Sequence, residues 1–362
     1  MSMTCGENIK MTVFGQSHSD EIGVLIDGLP KGIAVDFNLI KEYLSRRAPG
    51  KNEYSTPRKE ADEPIFETGL ENGITTGDTV KAVIKNTNTR SSDYEKIKAL
   101  PRPGHADFTA YIKENGKNDV RGGGAFSGRM TAPIVIAGAI AASILKKNGI
   151  EIGAHILKIK DIEDSSFDFV NVGKDVLNEI KKKDFPVIDC KAGKRMIDTI
   201  LSAKGQGDSV GGIIECAALG LPAGIGSPMF DGLENIISRA VFAVPAVKGI
   251  EFGSGFAGSG LFGSENNDAF TVSDGKIKTV TNNHGGILGG ISSGMPLVFR
   301  VAVKPTPSIS KPQQSVNLLT MKEETLEIIG RHDPCIVPRA VPVIEAITAF
   351  CLLDIMKGEG RI

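Results

Sequence analysis

Three of the five histidines lie in short polar clusters, where an imidazole can do chemistry as well as packing. His18 lies in F-G-Q-S-H-S, His105 in R-P-G-H-A-D and His332 in G-R-H-D-P-C. Each cluster contains a turn-forming Gly or Pro. The second and third also place an Arg and an Asp near the histidine. Imidazole titrates near neutral pH, so these clusters suit proton transfer beside an anionic substrate. The sequence therefore favours an enzyme over a scaffold.

Each cluster also has a purely structural interpretation. The polar loop around His18 is equally typical of a turn whose side chains cap the backbone. Asp107, two residues after His105, would hold the imidazole tautomer, but a rigid surface turn with an incidental ion pair explains the same pattern. Asp333 beside Arg331 should stay ionised and be able to accept a proton. The alternative for that cluster is a local ion pair before the last helix.

Glycine-rich tracts provide candidate cradles for a phosphate and for a flat ring. Arg121 precedes Gly122, Gly123 and Gly124, and the run leads through Ser127 into an apolar segment. Free N–H groups and a helix N-terminus would then face one spot, as phosphate sites require. The tracts 252–263 and 282–294 would let backbone approach a ring closely, although glycine-rich hairpins are the alternative, and no nucleotide fingerprint is present. Guanidinium groups suited to phosphate and carboxylate come from Arg46, Arg47, Arg58, Arg102, Arg121, Arg129 and Arg331.

The overall charge limits the class of partner. The chain has 362 residues and a net charge of −1, from 42 basic and 43 acidic side chains. That balance argues against nucleic-acid or membrane binding, which needs a field of one sign. The five cysteines show no C-x-x-C spacing and the histidines no H-x-x-x-H spacing, so neither a disulfide framework nor a metal site is expected. No signal peptide is visible and the stretch 132–145 is short for a membrane span, so we expect a cytoplasmic protein.

Strand and helix signals alternate along the whole chain. The stretch 24–26 predicts a strand, and Asp36 predicts the cap of a helix that carries Phe37, Ile40 and Leu44 on one face. The stretch 129–147 is apolar almost all round, as expected for a helix buried on every side. Strands are predicted at 210–219 and 295–303, and a final helix at 339–356. We predict an α+β fold, with sheets packed around central buried helices in a single domain over residues 1–362.

Ten short runs, taken together and in order, resemble the chorismate synthase family over nearly the whole chain. They are F-G-Q-S-H, D-G-L-P-K-G, R-R-A-P-G, R-P-G-H-A-D, R-G-G-G, G-D-S-V-G-G, A-V-K-G-I-E-F-G, N-N-H-G-G-I-L-G-G-I-S-S-G, K-P-T-P-S and G-R-H-D-P-C. Any one of them arises by chance, whereas ten in register do not. The resemblance implies antiparallel sheets around central helices, a β-α-β sandwich. It also implies the conversion of 5-enolpyruvylshikimate 3-phosphate to chorismate, an anti-1,4-elimination of phosphate that needs reduced FMN and belongs to aromatic amino acid biosynthesis.

The same resemblance implies roles for individual residues. His18 would protonate the departing phosphate, and His105 would protonate or stabilise the reduced flavin. Ser17 and Asp333 would relay the substrate ring proton by way of the flavin. The substrate's phosphate and carboxylates would be held by Arg46, Arg47, Arg102, Arg129 and Arg331. The flavin contacts would be Ala125, Phe126, Ser127, Ala246, Gly289, Lys304, Pro305, Thr306, Pro307, Ser308 and Arg331.

The chain departs from the commoner family pattern at several positions. Gln16 replaces Glu, Ser19 replaces Gly, and Ala48 replaces a third consecutive Arg. Ala125 and Phe126 replace Arg and Ser, which removes a cation from the expected flavin neighbourhood and adds an aromatic ring. These two positions are therefore expected only as backbone or stacking contacts.

Two further expectations concern the cofactor supply and the partners. Glu53 stands where some members carry a basic residue assigned to NADP, so NADPH is expected only as an indirect or external reductant. An external flavin reductase is then an alternative source of reduced flavin, and the resemblance implies a homotetramer. A non-catalytic protein that binds phosphorylated metabolites is the alternative function, although pure binding has no need of proton-transfer groups.

Overall fold

A computed structural model describes residues 3–56, 62–86, 99–273, 275–328 and 332–362. The strands in these ranges are β1 (Thr4–Cys5), β2 (Lys10–Gly15), β3 (Glu21–Asp27), β4 (Ile65–Thr68), β5 (Leu70–Glu71), β6 (Ile74–Thr75), β7 (Val80–Lys85), β8 (Glu151–Ile159), β9 (Ile162–Glu163), β10 (Gly212–Leu219), β11 (Val247–Phe252), β12 (Phe270–Ser273), β13 (Lys276–Thr279), β14 (Ile287–Leu288), β15 (Ile291–Ser292), β16 (Leu297–Val303), β17 (Gln313–Asn317) and β18 (Lys322–Leu326). The α-helices are α1 (Phe37–Arg47), α2 (Asp107–Lys113), α3 (Thr131–Lys147), α4 (Lys174–Lys181), α5 (Cys190–Gly205), α6 (Leu233–Val241), α7 (Gly255–Gly258), α8 (Gly263–Asn266) and α9 (Val337–Gly358).

Two five-stranded antiparallel sheets enclose a layer of helices. The first sheet has the order β1-β2-β3-β7-β4 and the second the order β11-β16-β10-β8-β9. Helix α3 packs on β3, and α9 packs on β8 and β10. Helices α3 and α9 also pack on each other, and α1 contacts both. The predicted α+β architecture, with antiparallel sheets around central helices, is confirmed.

The two central helices can approach closely because one residue between them has no side chain. A Cβ atom at Gly138 of α3 would clash with the backbone carbonyl of Ala346 in α9. Such contact between backbones lets the apolar side chains on either side interdigitate at the density of a protein interior. Nearly every residue of α9 up to Met356 is buried, and so is most of α3. The predicted helices at 129–147 and 339–356 are confirmed to within a few residues.

Helix α1 follows its local signals. The Asp36 side chain accepts a hydrogen bond from the Leu39 N–H at 3.0 Å, as an N-cap does. Ile40 and Leu44 are buried as predicted. Phe37 shares their face only in part, since it stays 47% exposed and lies edge-on against Phe66. The helix ends with Arg47, before Pro49-Gly50 as predicted.

Within the residues that the structure describes, one helical stretch, Gly128–Lys147, is long and apolar enough to cross a membrane. In this fold, 89% of its apolar window is buried inside the protein. The stretch therefore behaves as the core helix of a globular fold, which is the role the all-round apolar pattern predicted.

Charged side chains join α9 to both sheets. Glu345 is fully buried and accepts two hydrogen bonds from the Arg46 guanidinium, at 2.6 and 2.9 Å, and a third from the Ala154 N–H at 2.9 Å. Asp354 accepts the N–H groups of residues 7–9 at 2.7–3.0 Å. Burying a carboxylate is costly unless other groups compensate it, and here Glu345 is paired with a guanidinium while Asp354 is satisfied by backbone N–H groups.

A row of alternating charges crosses the second sheet, and the sequence did not reveal it. His155 is fully buried, with Nδ1 3.0 Å from Asp164 and Nε2 3.0 Å from Glu215. Glu215 in turn accepts a hydrogen bond from Arg300 Nε at 2.9 Å. His155 and Arg300 each lie directly opposite Glu215 on the neighbouring strands. Burial lowers the pKa of His155, but the two carboxylates outweigh it, and the net direction is upward.

We predict that this imidazolium makes stability depend on pH. Because the folded-state pKa of His155 is raised, its contribution is complete below the unfolded value near 6.5 and is lost as the pH rises through the folded value. His155→Gln should lose about 3–5 kcal/mol of unfolding free energy at pH 6, since it leaves two buried carboxylates without their cation. Urea denaturation between pH 6 and 9 should show the gap between wild type and variant narrowing with rising pH.

The matched control is Phe167→Leu, because Phe167 contacts the His155 ring edge-on without carrying charge. Its destabilisation should be the same at every pH. If the difference in unfolding free energy between wild type and His155→Gln were also independent of pH, the proposed charge on the imidazole would be contradicted.

Candidate functional site

A cavity of about 600 Å³ opens at one end of the helical layer. Its volume falls in the range of small-molecule sites. It is bounded by the end of α1, the turn before α2, the glycine turns before α3, the loop before β11, the segment after β16 and the start of α9. The lining side chains that carry charge or titrate are Arg47, Arg102, His105, Arg129, Lys248, Lys304, His332, Asp333 and Arg339.

The glycine run forms a turn that only glycine adopts easily. Gly122, Gly123 and Gly124 have φ values of 59°, 85° and 54°, the left-handed region that disfavours other residues. The turn closes against the first histidine cluster, because the Ser17 N–H donates to the Gly124 carbonyl at 3.2 Å. Ser17 is fully buried, and its Oγ makes no hydrogen bond within the residues that the structure describes.

Two of the predicted histidines flank this turn. A Cβ atom on Gly122 would lie 2.9 Å from His18 Nε2 and would clash with Ser17 Oγ. A Cβ atom on Gly123 would lie 3.3 Å from His105 Nε2. Adjacent Cα atoms are about 3.8 Å apart, so both imidazoles border one short stretch of backbone. Gly122 and His105 line the cavity, and His18 lies directly behind Gly122.

The Asp107 carboxylate orients His105, as the spacing predicted. Asp107 Oδ1 lies 2.6 Å from His105 Nδ1, and Arg102 Nη2 lies 3.1 Å from the same nitrogen. The shorter contact, to the carboxylate, favours a proton on Nδ1 and leaves Nε2 towards Gly123. Arg102 Nε and Nη2 donate to the same carboxylate at 2.7 and 2.8 Å. Burial raises the pKa of Asp107, but the hydrogen bonds from Arg102 and His105 lower it by more. The net pKa is well below the ordinary value of an aspartate. Asp107 therefore stays an anion.

The third cluster contributes a neutral imidazole and a paired carboxylate. Burial lowers the pKa of His332 to about 4, with Arg102 and His105 adding to the effect, so His332 is uncharged at neutral pH. Asp333 Oδ1 accepts the Thr56 N–H at 2.9 Å, and Oδ2 pairs with Arg339. Both oxygens of Asp333 are thus engaged, which positions the group tightly beside the cavity.

Two arginines share one buried carboxylate on the wall between α1 and α3. Arg47 and Arg129 each direct Nη1 at one oxygen of Asp62, and the side chains of all three are at most 3% exposed. Burial opposes ionisation of Asp62, but the two guanidiniums hold its pKa below the ordinary value. Both arginines line the cavity.

The segment after β16 forms the opposite wall. The Lys304 N–H donates to the Ala246 carbonyl at 2.9 Å, and Lys304 Nζ donates to the Gly104 carbonyl. Burial lowers the pKa of Lys304, and Lys248 nearby adds to the effect. Ala246 has a φ of 72°, a strained value for a residue with a Cβ. Ser308 Oγ accepts a hydrogen bond from Arg102 Nη1 at 3.1 Å, so this wall is tied to the second histidine cluster.

Most of the predicted site residues are brought together, but several are not. The cavity wall includes Arg47, Arg102, His105, Ala125, Phe126, Ser127, Arg129, Ala246, Lys304, Thr306, Pro307, Ser308 and Asp333. Ser17 and His18 lie behind Gly122. Arg331 and Arg58 lie outside the described residues. Pro305 is absent from the described lining and lies beside Gly211.

Arg46 and Gly289 lie elsewhere for clear physical reasons. Successive helical residues point about 100° apart, so Arg46 turns away from the cavity that Arg47 lines and pairs with Glu345. Gly289 lies in the exposed turn between β14 and β15. The tracts 252–263 and 282–294 contact each other, since the Ser254 N–H donates to the Asn283 carbonyl at 2.8 Å, and neither belongs to the described cavity lining. Arg121 is exposed and pairs with Asp119.

Three lining or supporting residues were missed by the sequence reasoning. Asp62, Arg339 and Lys248 lie in stretches that do not combine a histidine with turn residues. Arg339 precedes the strongly apolar part of α9, and that isolated cation was a usable signal. Asp62 gave none, because one more carboxylate in the charged run 58–63 is ordinary surface composition. Lys248 is, like Arg339, a lone cation in an apolar stretch.

Together the fold and the cavity define an α+β protein with a cation-lined pocket and two imidazoles at one wall. Residues 9–356 match the family model described as chorismate synthase. The chain is 48% identical over 362 residues to a protein named chorismate synthase from Dehalococcoides mccartyi, covering 100% of this chain and 98% of the relative. It is 47% identical over 349 residues to one from Thermococcus gammatolerans, covering 96% of each.

A solved structure titled "Crystal Structure of Chorismate Synthase" superposes with a TM-score of 0.76 at 26% identity. The match covers 98% of this chain and 93% of that one. The chain belongs to the chorismate synthase family.

We predict that the glycine turn cannot accept a side chain without moving the first histidine cluster. Gly122→Ala should cost about 1–3 kcal/mol of unfolding free energy, because a residue with a Cβ is strained at positive φ. It should also shift the imidazole NMR signals of His18, since its Cβ would contact His18 Nε2. Urea denaturation and imidazole spectra measure the two effects.

The control is Gly173→Ala, at a glycine with φ −99° and open space around its Cβ position. It should leave the His18 signals unchanged, with a loss of stability limited to the preference for Gly over Ala at the N-cap of α4. Unperturbed His18 signals in a folded Gly122→Ala variant would contradict the packing described.

Proposed function

We propose that this protein converts 5-enolpyruvylshikimate 3-phosphate to chorismate and phosphate by anti-1,4-elimination, as a carbon–oxygen lyase dependent on reduced FMN. The observation that carries the proposal is the pair of imidazoles that flank the glycine turn, with His105 in the lining of a cavity that also contains guanidinium groups and His18 directly behind Gly122. Elimination of phosphate needs a proton donor for the leaving group, a proton acceptor for the ring hydrogen and cations that hold the anionic substrate. Membership of the chorismate synthase family supports the same reaction.

Several groups at the cavity suit FMN. The cavity is bordered on one side by Ala125, Phe126 and Ser127. On the other side it is bordered by Ala246, Lys304 and residues 306–308. Phe126 is 41% exposed, so its ring has a face available for stacking. The buried Ser17 Oγ, which lacks a hydrogen-bond partner among the described residues, marks a polar position that a bound molecule would satisfy. When bound, reduced FMN would supply electron density to the substrate as phosphate leaves.

His18 is the candidate donor to the leaving phosphate. Its Nε2 lies behind Gly122, at the edge of the glycine turn, where the absence of a side chain keeps access open. A phosphate dianion nearby favours the charged form of an imidazole. Protonation of a leaving group by a positioned acid is the usual contribution of histidine to such a step.

His105 and Asp333, which both line the cavity, are the candidates for the remaining proton transfers. Asp107 holds His105 Nδ1 in place, so Nε2 is left as the nitrogen that would protonate or stabilise a reduced flavin. Asp333, fixed by Thr56 and Arg339, would accept the proton released from the substrate ring, with Ser17 as a relay. The neutral imidazole of His332 adds no charge to this region at neutral pH.

The cationic side chains account for substrate binding. Arg47 and Arg129 lie together on one wall, and Arg102, Lys304 and Lys248 lie on others. Guanidinium groups bind phosphate and carboxylate through paired hydrogen bonds. We propose that the substrate's phosphate and two carboxylates are held by Arg47, Arg102 and Arg129, with Arg331 contributing as expected from the sequence.

An anaerobic assay with chemically reduced FMN and the phosphorylated substrate tests the proposal. Chorismate absorbance should grow in proportion to enzyme, and phosphate should be released in equal amount. A protein that binds phosphorylated metabolites without catalysis would bind the substrate and form no chorismate. The absence of product with saturating reduced FMN would therefore reject the proposed reaction in favour of that alternative.

We predict that His18→Ala and His105→Ala each lower turnover by roughly ten- to a thousand-fold, as expected when a proton donor is removed. Circular dichroism should show both variants folded. His284→Ala is the control, because that imidazole lies at the Asp268 carboxylate, away from the cavity lining that the structure describes. If both folded variants turned over at the wild-type rate, the proton-transfer roles assigned to His18 and His105 would be contradicted.

The supply of reduced flavin is part of the proposal. We propose that NADPH acts only as an indirect or external reductant, with a flavin reductase or the cellular environment delivering FMN in reduced form in the cytoplasm. Glu53, which stands at a position that is basic in members assigned to NADP, supports this choice. Oxidised FMN with NADPH alone should then give no chorismate, whereas adding a flavin reductase should restore it.

We also propose that the protein assembles as a homotetramer. On the β12–β13 hairpin, Phe270, Val272 and Ile277 fall on one face and stay largely exposed, with Val272 directly opposite Ile277. Phe256 and Phe262 in the neighbouring segment are also largely exposed. Apolar patches of this kind are typical of protein–protein contacts.

We predict that Val272→Lys lowers the oligomeric state in sedimentation equilibrium, because it places a charge on that apolar face. Thr271→Lys, on the opposite face of the same strand, is the matched control and should keep the wild-type mass. Equal masses for wild type and both variants would show that this face is not part of the assembly.

A further inference from the structure

Asp62 is a carboxylate that two arginines of the cavity wall, Arg47 and Arg129, share. Its Oδ1 accepts from Arg129 and its Oδ2 from Arg47, so each oxygen serves one guanidinium. The Asp62 side chain is 1% exposed. Among the described residues, Arg47 and Arg129 line the cavity, whereas Asp62 does not. The carboxylate therefore lies behind the arginines, and it does not fill the space in which an anion would bind.

Each guanidinium is also fixed at a second point by a neutral oxygen. Arg47 Nε donates to Thr131 Oγ1 at 3.2 Å, and Arg129 Nε donates to Asn86 Oδ1 at 3.1 Å. Thr131 begins α3, and Asn86 follows β7. The two arginines are thus held in matching ways, with Nε on a neutral group and Nη1 on Asp62.

Two guanidiniums side by side repel each other, and burial strengthens that repulsion. A carboxylate between them removes the repulsion and sets the direction of both planar groups. An anion that binds to groups already oriented pays less ordering entropy. We propose that Asp62 is a positioning residue that, from behind the cavity wall, holds Arg47 and Arg129 side by side for one anionic group of the substrate. The inference rests on the proposed function for the identity of that substrate.

The variant Asp62→Asn keeps the shape of the side chain and removes its charge. The Michaelis constant for the phosphorylated substrate should rise roughly ten- to a hundred-fold, the size expected for loss of a charged hydrogen bond. Turnover at saturation should stay within about threefold, because Asp62 acts through the arginines and not on the reacting atoms. Calorimetric titration with inorganic phosphate should show weaker binding by a similar factor.

The matched control is Glu345→Gln. It also removes a buried carboxylate from an arginine, but its partner Arg46 lies outside the cavity lining. A general loss of stability would affect both variants alike, whereas a positioning role affects only the first. Glu345→Gln should therefore keep the wild-type Michaelis constant and the wild-type affinity for phosphate.

Several results would overturn the inference. Tighter phosphate binding in Asp62→Asn would show that the carboxylate competes with anions, and unchanged binding would show that it does not orient the arginines for them. An equal loss in Glu345→Gln would reduce the effect to stability. If Asp62→Asn does not fold, Asp62→Glu takes its place. That variant keeps the charge and shifts both guanidiniums, so a wild-type Michaelis constant and phosphate affinity would reject the positioning role.

The phosphate titration separates this inference from the proposed reaction. If wild-type protein formed no chorismate, the proposed function would fail, while the change in phosphate affinity between wild type and Asp62→Asn would still decide the role of Asp62. If chorismate formed and phosphate affinity did not depend on Asp62, the inference alone would fail.

Discussion

The close contact between α3 and α9 is the constraint on which the rest of the molecule depends. It requires Gly138, whose missing side chain admits the backbone of Ala346. Once the two helices lie together, the glycine turn before α3 and the polar segment before α9 meet at the same cavity. The end of α1 reaches the same place because α1 packs on both helices. Helix packing therefore brings several helix ends to the cavity, and the loop before β11 and the segment after β16 complete its walls.

This arrangement concentrates positive charge where the fold can support it. Helix N-termini carry partial positive charge and unsatisfied N–H groups, and the starts of α3 and α9 both border the cavity. Arg47, Arg129 and Arg339 add full charges, and Asp62 and Asp333 lie against them. A cavity made in this way attracts phosphate and carboxylate without a large net charge on the protein, which carries −1 overall.

Buried charges elsewhere in the fold serve to join layers. Glu345 links α9 to α1 and β8, and Asp354 links α9 to the chain before β2. The row through His155 and Glu215 crosses the second sheet. Each carboxylate accepts several hydrogen bonds, which offsets the cost of its burial. The same physical rule thus governs both the scaffold and the site, and only position relative to the cavity distinguishes Arg46 from Arg47.

Local patterns in the sequence determined the elements and the kinds of chemistry. Asp36 capped its helix, the apolar stretch at 129–147 became a buried helix, and the glycine run formed a left-handed turn. These features depend on neighbours in the chain, so a linear reading finds them. Tertiary structure alone decided that Asp62 lies behind two arginines, that His155 lies between two carboxylates, and that Gly289 stays away from the cavity. Those relations join residues far apart in the chain, and no local spacing encodes the distances that electrostatics and packing impose.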